Sequence, residues 1–316
     1  MKNNNLVAVF CFDKNYAKYC QVALFSLIVN HGSNVKVYCV FTDDVASIDL
    51  DNIKSLSTRF DIDLEFIEVP LVSEISIFKT LHHFTQANYL RLLLPDLLPQ
   101  EQKILYLDCD LIINKSLAAL YDTNISNYKY AGVIDKIGSE SSKIEPIFKQ
   151  SYVNSGVLLM NLKALREDNS FEKIKVLYER YSSTITWVDQ CLINIYAHRE
   201  ILMLDDMYNC QIYSGSFDKQ RWSEVSQNIF IYHFVGGTKP WHKRSRKHIA
   251  DFWWGFANAL NSDQLQIVDS NLINDLMVEC KSLEEYENYK DSCGIKDRII
   301  QGLLSHIKNG KNPGKK

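Results

Sequence analysis

Short apolar runs alternate along the chain with segments whose apolar residues recur at helical spacing. Residues 6–12, 35–41 and 64–69 are such runs, and helical patterns over residues 16–31 and 45–59 separate them. Runs that are apolar throughout are typical of strands covered on both faces, and strand-helix alternation favours a parallel sheet. The sequence therefore predicts an α/β fold whose ligands bind beyond the carboxyl ends of the strands.

The same two patterns continue through the rest of the chain. Further strands are predicted at residues 130–134 and 229–234, and residues 152–162 hold Asn154, Ser155 and Gly156 just before another apolar strand. Further helices are predicted at residues 171–181 and 189–197. Residues 85–94 also have a helical pattern, which we expect Pro95 to end because proline lacks a backbone N–H. Residues 139–150 are polar, and we expect them to form a mobile loop.

The chain is organised around residues 104–114, with the sequence ILYLDCDLIIN. An apolar run here reaches two aspartates, Asp108 and Asp110, and a second apolar run follows. Because residues i and i+2 of an extended segment point the same way, the two carboxylates converge while Cys109 faces the other side. Close carboxylates repel each other unless a cation lies between them, and their oxygens suit Mg²⁺ or Mn²⁺. The stretch therefore predicts a divalent metal site rather than a simple turn.

Two other Asp-x-Asp sequences occur in a different context. Asp49 with Asp51, and Asp61 with Asp63, bracket a polar helical stretch, and neither pair lies between two apolar runs. We expect these side chains to lie in solvent. The Asp-x-Asp motif alone is weak evidence for a metal site. The apolar runs around Asp108 and Asp110 distinguish that pair from the other two.

Arg91 and His233 are further candidates for the site. Arg91 lies among leucines, so we predict a buried guanidinium with carboxylate partners, although a lone arginine on a helix is usually solvated. His233 lies in an apolar run, where a histidine is more often a core residue than a ligand. Here Gly236, Gly237 and Lys239 follow it, and glycines and a lysine suit an anion such as phosphate. Two aspartates and one imidazole fit Mn²⁺ better than zinc.

Composition narrows the class of partner. The 316 residues are 46% hydrophobic and 12% aromatic with a net charge of −3, which excludes wholesale disorder and general attraction to nucleic acid. We therefore expect small-molecule partners. Eight cysteines without a C-x-x-C spacing suggest a reducing cytoplasm. We expect no signal peptide, because the run at residues 6–12 is too short, and no stretch approaches the roughly 20 apolar residues of a membrane span.

The densest basic stretch is residues 242–248, HKRSRKH. It is either a solvated loop or a surface that attracts anionic lipid headgroups or an anionic acceptor, and the nearby Trp253 and Trp254 would suit such an interface. An apolar stripe at residues 295–307 is either a terminal helix docked on its own domain or a helix lying in a membrane surface. Association with a membrane surface is thus one of two readings.

Several motifs in a fixed order give the chain a family resemblance. They are D-K-N-Y from Asp13, Y-L-R-L from Tyr89, L-Y-L-D-C-D from Leu105, N-S-G-V-L-L-M-N-L from Asn154, D-Q from Asp189 and H-F-V-G-G-T-K-P-W from His233. Together, over roughly residues 6–260, the chain resembles the retaining glycosyltransferases of family 8. The similarity is to the bacterial lipooligosaccharide or lipopolysaccharide type, which transfers galactose or glucose from UDP-sugars.

The resemblance implies a GT-A fold. In this fold a Rossmann-like nucleotide-binding half, with a mostly parallel central sheet, joins an acceptor half. We expect this catalytic domain to occupy residues 1–260. Residues 261–316 would then be a helical extension, docked on the domain or lying at a membrane surface, with a disordered basic end at residues 311–316.

The resemblance also implies a set of ligand-binding residues. Mn²⁺, or Mg²⁺ in its place, would be bound by Asp108, Asp110 and His233. The positions implied for the donor nucleotide and its sugar are Asp13, Asn15, Tyr16, Arg91, Asp108, Cys109, Asp110, Asp135, Asn154, Ser155, Asp189, Gln190, Gly236 and Lys239. The two sets overlap because the cation would neutralise charge on the departing diphosphate.

The resemblance assigns catalysis to three residues around the donor sugar, Gln190, Asp189 and Arg91, while His83 would face the acceptor. Retention in this family is thought to proceed by same-face attack, with the acceptor hydroxyl deprotonated as the diphosphate leaves. Two positions depart from the family pattern. Cys191 stands where many members have a further aspartate, and an alanine is common at the position of Ser155. Both departures bear on the donor sugar and leave the metal set intact.

We therefore expect a cytoplasmic, Mn²⁺-dependent transferase that moves galactose or glucose from a UDP-hexose to a glycan or glycolipid acceptor. It would be free in the cytoplasm or peripheral on the inner face of the cytoplasmic membrane. One alternative is a nucleotidyltransferase that makes a sugar nucleotide, although that class would want a glycine-rich basic loop after the first strand. The other is a catalytically idle relative that binds sugar nucleotides or glycans.

Overall fold

Strands and helices alternate through the described chain, which in this computed structural model comprises residues 6–71, 74–80, 85–213, 228–242, 245, 247–260 and 265. The strands are β1 (Leu6–Phe12), β2 (Val35–Thr42), β3 (Asp63–Val69), β4 (Lys103–Leu107), β5 (Leu111–Ile113), β6 (Tyr130–Ile134), β7 (Val153–Asn161), β8 (Ile201–Met203), β9 (Cys210–Gln211) and β10 (Ile231–His233). The helices are α1 (Ala17–His31), α2 (Ser47–Phe60), α3 (Leu90–Leu97), α4 (Ala118–Tyr121), α5 (Lys136–Ser141), α6 (Pro146–Lys149), α7 (Leu162–Glu167), α8 (Ser170–Tyr181), α9 (Val188–Tyr196) and α10 (Lys247–Leu260).

Seven strands form one sheet in the order β3-β2-β1-β4-β7-β6-β8. Strand β1 pairs in parallel with β2 and β4, and β2 with β3 and β6 with β8 are also parallel. Strand β7 runs antiparallel to both of its neighbours, β4 and β6. The mostly parallel α/β sheet predicted from the sequence is therefore confirmed. The direction of β7 was not predicted, because an apolar run has the same pattern in either direction.

A second sheet, of three strands in the order β5-β10-β9, brings distant parts of the chain together. Strand β10 runs antiparallel to β5, and His233 is paired with Leu111. Residues 104–114 are thus two strands in different sheets, β4 and β5, with Asp108 and Asp110 in the connection between them. The pairing places His233 next to this connection, and the Phe234 N–H donates to the Asp110 carbonyl at 2.9 Å.

Helix α3 runs through Pro95 to Leu97, so the prediction that Pro95 ends the helix is wrong. A short 3-10 helix, Gln86–Tyr89, precedes it. The Arg166 guanidinium donates from Nη1 to the carbonyls of Pro95, at 3.0 Å, and Leu98, at 3.2 Å. These bonds satisfy carbonyl oxygens that a helix end leaves without partners, and they stabilise the turn that follows the proline.

The prediction of a mobile loop at residues 139–150 is also wrong, since this stretch contains the end of α5 and all of α6. Its hydroxyl groups bond back to the chain: the Ser141 Oγ donates to the Ile137 carbonyl at 2.6 Å. Phe148 is buried and anchors α6. Short polar side chains can satisfy neighbouring backbone groups in this way, so a polar composition did not indicate a solvated loop.

Trp253 lies in the core rather than at an interface. Its side chain is fully buried on α10, with its ring 5.1 Å from that of Trp241 and 6.1 Å from that of Tyr19. Trp254 is partly buried and packs against the same core. The expectation that this tryptophan pair suits a membrane interface is therefore wrong for Trp253. Its apolar neighbours on the helix lie on the face that packs inward.

Other expectations are confirmed or concern residues outside the described ranges. Asp51, Asp61 and Asp63 are exposed and Asp49 is partly exposed, as predicted for the peripheral Asp-x-Asp pairs. His83, the stripe at residues 295–307 and nearly all of the extension at residues 261–316 lie outside those ranges, so predictions about them stay predictions. Of the basic stretch, Lys247 and His248 begin α10. Across the described ranges, every helix is too short or too polar to cross a bilayer.

Candidate functional site

A cleft lies at the carboxyl ends of β1 and β4, where the sequence predicts a ligand site. It gathers most of the predicted donor and metal residues. Those that line it are Asp13, Tyr16, Arg91, Asp108, Cys109, Asp110, Asp135, Asn154, Ser155, Asp189, Gln190, His233, Gly236 and Lys239. Asn15 does not line the cleft; its backbone N–H and its side-chain amide donate to the Asp13 carboxylate at 2.9 and 3.1 Å. Asn15 therefore holds Asp13 in place.

Asp108, Asp110 and His233 form the one His/Cys/Asp/Glu group in the described residues that could hold a metal ion. One ligand atom from each side chain lies within 4.8 Å of the other two. The His233 Nε2 is 3.2 Å from the Asp110 Oδ1 and 3.8 Å from the Asp108 Oδ2. Asp110 and His233 are buried, whereas Asp108 is partly exposed towards the cleft. The three residues selected from the sequence are thus brought together by the end of β4 and by β10.

Gly156, in β7, forms the wall behind these three side chains. Its carbonyl accepts from the Asp108 N–H at 2.8 Å. A Cβ atom added to Gly156 would lie 2.6 Å from the Asp108 Oδ2 and would also overlap the His233 ring. The absence of a side chain here is what lets an imidazole and a carboxylate converge. The sequence analysis placed residues 154–156 before the strand, whereas they lie within β7.

Lys239 faces the acidic end of the cleft. Its Nζ lies 2.5 Å from the Asp110 Oδ2 and donates to the Phe234 carbonyl at 2.7 Å. Burial alone would raise the pKa of Asp110, but the positive charge of Lys239 and the interaction with His233 outweigh it and hold the pKa well below its usual range. Asp110 is therefore ionised and available as an oxygen ligand.

Arg91 is buried, as predicted from its apolar neighbours. Its Nη2 lies 3.0 Å from the Asp108 Oδ1, and its Nε lies 3.2 Å from the Asp189 Oδ2. Its Nη1 donates to the Ser155 carbonyl at 2.7 Å and to the Ser155 Oγ at 3.0 Å. The guanidinium also lies over the Tyr106 ring, 4.4 Å from its centroid. The planar Arg91 guanidinium thus holds Asp108 at the end of β4, Ser155 in β7 and Asp189 in α9 in fixed positions.

Asp189 lies near the start of α9 and is buried. Burial, opposed by Arg91 and reinforced by Asp108, raises the pKa of Asp189 to about 6. The preceding residue, Val188, has a φ of 26°, a left-handed conformation that is strained for a β-branched side chain. Strain of this kind persists where surrounding structure over-determines it, and here it aims Asp189 and Gln190 into the cleft.

A cluster of amide and carboxyl groups lies beside Asp189. The Gln190 Nε2 donates to the Asp135 Oδ2 at 3.0 Å, and the Gln190 Oε1 accepts from the Ser155 N–H at 3.0 Å and from the Asn154 Nδ2 at 3.2 Å. The Gly138 N–H donates to the Asp135 Oδ1 at 2.7 Å. The side chains predicted to surround a donor sugar are therefore joined in one hydrogen-bonded group.

Cys109 lies between the two aspartates in the connection from β4 to β5. It is buried, and its Sγ donates to the Cys11 carbonyl at 3.6 Å. It borders the cleft without joining the predicted metal set. The described cysteines are free thiols.

The sequence analysis missed several residues that shape the site. The Tyr106 hydroxyl donates to the Asp108 Oδ1 at 2.6 Å, and the alternation of β4, which puts residues 106 and 108 on one side, could have identified it. Asn209 contacts the His233 ring, its Oδ1 lying 3.0 Å from the His233 Nδ1. Gly156 was quoted within a motif but given no role. For Asn209 no local pattern gave a signal, because the contact depends on pairing between remote segments.

Two sequence relatives cover most of this chain and most of their own length. General stress protein A of Bacillus subtilis is 27% identical over 272 residues, covering 81% of this chain and 94% of that protein. The lipopolysaccharide 1,3-galactosyltransferase of Salmonella typhimurium is 24% identical over 286 residues, covering 83% of this chain and 84% of that protein.

Solved structures with the same architecture include the galactosyltransferase LgtC. An active-site mutant of LgtC has a TM-score of 0.71 at 22% identity, covering 81% of this chain and 97% of that chain. LgtC in complex with donor and acceptor sugar analogues has a TM-score of 0.69 at 21% identity, with the same coverage. The fold is therefore the GT-A fold that the resemblance implied. Residues 7–245 match the family described as glycosyl transferase family 8, so this protein belongs to that family and is a glycosyltransferase.

Proposed function

We propose that this glycosyltransferase is a metal-dependent, retaining hexosyltransferase that moves galactose or glucose from a UDP-hexose to a glycan acceptor. The observation that carries the proposal is the convergence of Asp108, Asp110 and His233, with ligand atoms within 4.8 Å of one another, at the edge of the cleft. The intact set argues against a catalytically idle relative, and undetectable turnover with every plausible acceptor would support that alternative instead. A nucleotidyltransferase would want a glycine-rich loop after β1, where this chain has Asp13, Lys14 and Asn15.

The residues present fit a hard divalent cation. Two carboxylates and one imidazole are suitable donors for Mn²⁺ or Mg²⁺, the lowered pKa of Asp110 keeps that carboxylate ionised, and Gly156 leaves the space between the ligands open. When bound, the cation neutralises charge that appears on the departing diphosphate. We propose Mn²⁺ as the preferred ion, since the mixed oxygen and nitrogen set departs from the all-oxygen sites of Mg²⁺.

The chain's own groups would bind the nucleotide on either side of this set. Asp13 and Tyr16 follow β1 and line the cleft, and the hydrogen bonds from Asn15 hold the Asp13 carboxylate in one orientation. Gly236 has a φ of 80° and lets the backbone approach a phosphate closely, and the Lys239 ammonium supplies a positive charge there. We therefore assign the diphosphate to the Gly236–Lys239 side of the cleft.

The donor sugar would lie against the hydrogen-bonded group formed by Asp135, Asn154 and Gln190. The Gln190 amide is held from both ends, by the Ser155 N–H and by Asp135, so it is fixed beside the sugar as a stabiliser of positive charge. Asp189 is buried against Arg91 and acts as a positioning partner for that guanidinium rather than as a nucleophile. This arrangement supports same-face attack, in which the acceptor hydroxyl loses its proton as the diphosphate leaves.

For the acceptor we propose a glycan of a bacterial surface glycolipid. The support is the similarity to a relative named lipopolysaccharide 1,3-galactosyltransferase, which is evidence about that relative and a guide here. Acceptance of a glycolipid would bring the enzyme to an anionic membrane surface, for which the basic residues at 242–248 are the proposed contact. His83, in the segment before α3, is the proposed acceptor-binding residue.

The test is UDP-sugar hydrolysis and transfer by Asp110→Asn, with Asp51→Asn as the matched control. Asp51 belongs to a peripheral Asp-x-Asp pair, is exposed on α2 and lies outside the cleft. We expect Asp110→Asn to lose at least 100-fold in turnover and Asp51→Asn to match wild type. Full activity of Asp110→Asn, or equal activity of wild type in EDTA and in Mn²⁺, would remove the metal role.

The donor can be identified by thermal shift. Wild-type protein would be heated with UDP-glucose, UDP-galactose or a UDP-N-acetylhexosamine, with and without Mn²⁺. A ligand that binds the native form alone raises the melting temperature, so the true donor should give the largest rise and require Mn²⁺ for it. Release of pyrophosphate from UTP and a sugar phosphate would instead support the nucleotidyltransferase alternative.

A further inference from the structure

We infer that Asn209 is a positioning residue that fixes the tautomer of His233 and joins the cation-binding set to the donor-sugar group. The inference rests on the proposed function for its catalytic meaning, but its geometry is independent of it. The Asn209 Oδ1 lies 3.0 Å from the His233 Nδ1, and the Asn209 Nδ2 donates to the Asn154 Oδ1 at 3.0 Å. Asn209 is 1% exposed, so both contacts are shielded from bulk solvent.

The carboxylate of Asp135 sets the direction of these hydrogen bonds, because it contacts Asn154, which in turn contacts Asn209. The Asn154 Nδ2 lies 3.3 Å from the Asp135 Oδ2, and a carboxylate can only accept, so this atom must be the donating end of the Asn154 amide. The Asn154 Oδ1 therefore faces Asn209, where it also accepts from the Gly156 N–H at 3.0 Å. Gln190 gives a second anchor, because its Oε1 accepts from both the Ser155 N–H and the Asn154 Nδ2.

The orientation of Asn209 follows from that of Asn154. Because the Asn154 oxygen is an acceptor, the Asn209 amide must turn its nitrogen towards it and its oxygen towards the His233 ring. The His233 Nδ1 must then carry the hydrogen that Asn209 accepts. A neutral imidazole with its hydrogen on Nδ1 has its lone pair on Nε2, and Nε2 is the atom that faces Asp108 and Asp110.

The backbone around Asn209 keeps this amide in register with His233. Asn209 follows a 3-10 helix, Asp206–Tyr208, and immediately precedes β9. Strand β9 pairs in parallel with β10, with Cys210 opposite Tyr232 and Gln211 opposite His233. The sheet that carries His233 thus also carries the residue that orients it. A hydrogen bond to the second nitrogen of a metal-binding histidine is a common way to hold the ring and raise its basicity.

The consequence is a continuous path of hydrogen bonds from the imidazole to the residues proposed to hold the sugar. It runs from His233 through Asn209 and Asn154 to Asp135 and Gln190. Loss of Asn209 should therefore weaken cation binding and also loosen the sugar site. Loss of the Asn209 amide nitrogen alone should disturb the sugar site more than it weakens cation binding.

The first experiment measures the tautomer without any metal or substrate. Long-range ¹H–¹⁵N spectra of the metal-free protein, with the His233→Gln spectrum used for assignment, report which ring nitrogen carries the hydrogen. We expect Nδ1 to carry a hydrogen in wild type, whether or not Nε2 beside Asp110 is also protonated in the absence of metal, and to lose it in Asn209→Leu. A wild-type ring with its hydrogen on Nε2 alone, and none on Nδ1, would overturn the inference, whatever the enzyme's activity.

The second experiment measures Mn²⁺ affinity by electron paramagnetic resonance of the free ion, alongside kcat and KM for the donor. We expect Asn209→Ala to bind Mn²⁺ about 10- to 100-fold more weakly. Asn209→Asp keeps an acceptor for the His233 ring but turns an oxygen towards Asn154, so Mn²⁺ affinity should recover towards wild type while kcat stays low.

The matched control is Asn161→Ala. Asn161 is partly buried, and its side chain donates to the carbonyls of Ile125 and Tyr128, away from the cleft. It should lower the melting temperature without changing Mn²⁺ affinity. Mn²⁺ affinity of folded Asn209→Ala equal to that of wild type would overturn the inference. Absence of Mn²⁺ binding by wild type, with the Nδ1–H tautomer present, would instead count against the proposed function alone.

Discussion

The Arg91 guanidinium lies 3.0 Å from the Asp108 carboxylate, and both belong to the wall of the same cleft. The pair ties α3 to the end of β4. The same guanidinium also pairs with Asp189 at 3.2 Å, so one buried cation balances two carboxylates. Removing it would leave the buried Asp189 without its ionic partner, whereas Asp108 is partly exposed and keeps its hydrogen bond from Tyr106.

Arg91→Met should therefore destabilise the protein strongly. Breaking a buried ion pair by removal of one partner costs about 3–5 kcal/mol in the free energy of unfolding, and Arg91→Lys should recover little of it because an ammonium cannot reproduce the planar fork. Urea unfolding measures the effect. Arg180→Lys, at an exposed position on α8, is the control and should stay within about 0.5 kcal/mol of wild type. A mild Arg91→Met would show that Asp189 is neutral in the folded protein.

Gly156→Ala should abolish binding of Mn²⁺ while the fold persists. The added methyl group would meet the Asp108 carboxylate and the His233 ring, and these two must move apart. Titration of Mn²⁺, followed by the resonance of the free ion, measures the loss. Gly255→Ala is the control, because a Cβ atom at Gly255 in α10 has no neighbour within 4 Å. That control should keep wild-type affinity and be slightly more stable, by about 0.5–1 kcal/mol.

The free energy of unfolding should depend on pH through Asp189. Burial raises the pKa of its carboxyl to about 6, whereas an unfolded aspartate has a pKa of about 4. The folded protein then binds more protons than the unfolded chain between these values, so the stability due to Asp189 is greatest below pH 4 and falls as pH rises towards 6. A shift of about two units corresponds to about 3 kcal/mol.

The measurement is urea unfolding of wild type and Asp189→Asn in EDTA from pH 4 to pH 7. The difference between the two proteins removes the contributions of other titrating groups. As the pH rises from 4 to 7, the free energy of unfolding of wild type should fall relative to that of Asp189→Asn. A difference that stays constant across this range would mean that Arg91 keeps Asp189 ionised throughout.

Lys239→Met should weaken the binding of UDP much more than that of uridine. The lysine is assigned to the diphosphate, and a hydrogen bond to a charged group contributes about 1.5–3 kcal/mol, which corresponds to roughly 10- to 150-fold in affinity. Calorimetric titration of both ligands in Mn²⁺ measures the two losses. An equal loss of affinity for UDP and for uridine would show that Lys239 maintains the shape of the cleft and does not contact the diphosphate. Lys54→Met, at an exposed position on α2, is the control.

The central strands could be predicted from the sequence because a strand buried on both faces must be apolar throughout. Strand direction and the division of residues 104–114 into β4 and β5 could not, because two adjoining apolar runs look like one. The helix through Pro95 depends on bonds from Arg166, which lies in another helix. In each case the missing information is a contact between remote segments, which no local pattern contains.

The candidate site divides in the same way. The apolar runs on either side of Asp108 and Asp110 indicated a cation site. The leucines next to Arg91 in the sequence indicated that its side chain is buried. The convergence of His233 with the two aspartates is set by the pairing of β10 with β5. The sequence indicated it through the glycines and lysine that follow His233 and through the family resemblance. Asn209 and Gly156 act through distances to His233, so they became visible once those strands were placed.

The late position of β10 in the chain has a consequence for biosynthesis. All seven strands of the larger sheet leave the ribosome before His233 and Lys239 do. A nascent chain that has already folded around that sheet therefore displays two aspartates with neither imidazole nor ammonium opposite them. The residues proposed to bind the cation and the diphosphate would then come together when β10 pairs with β5.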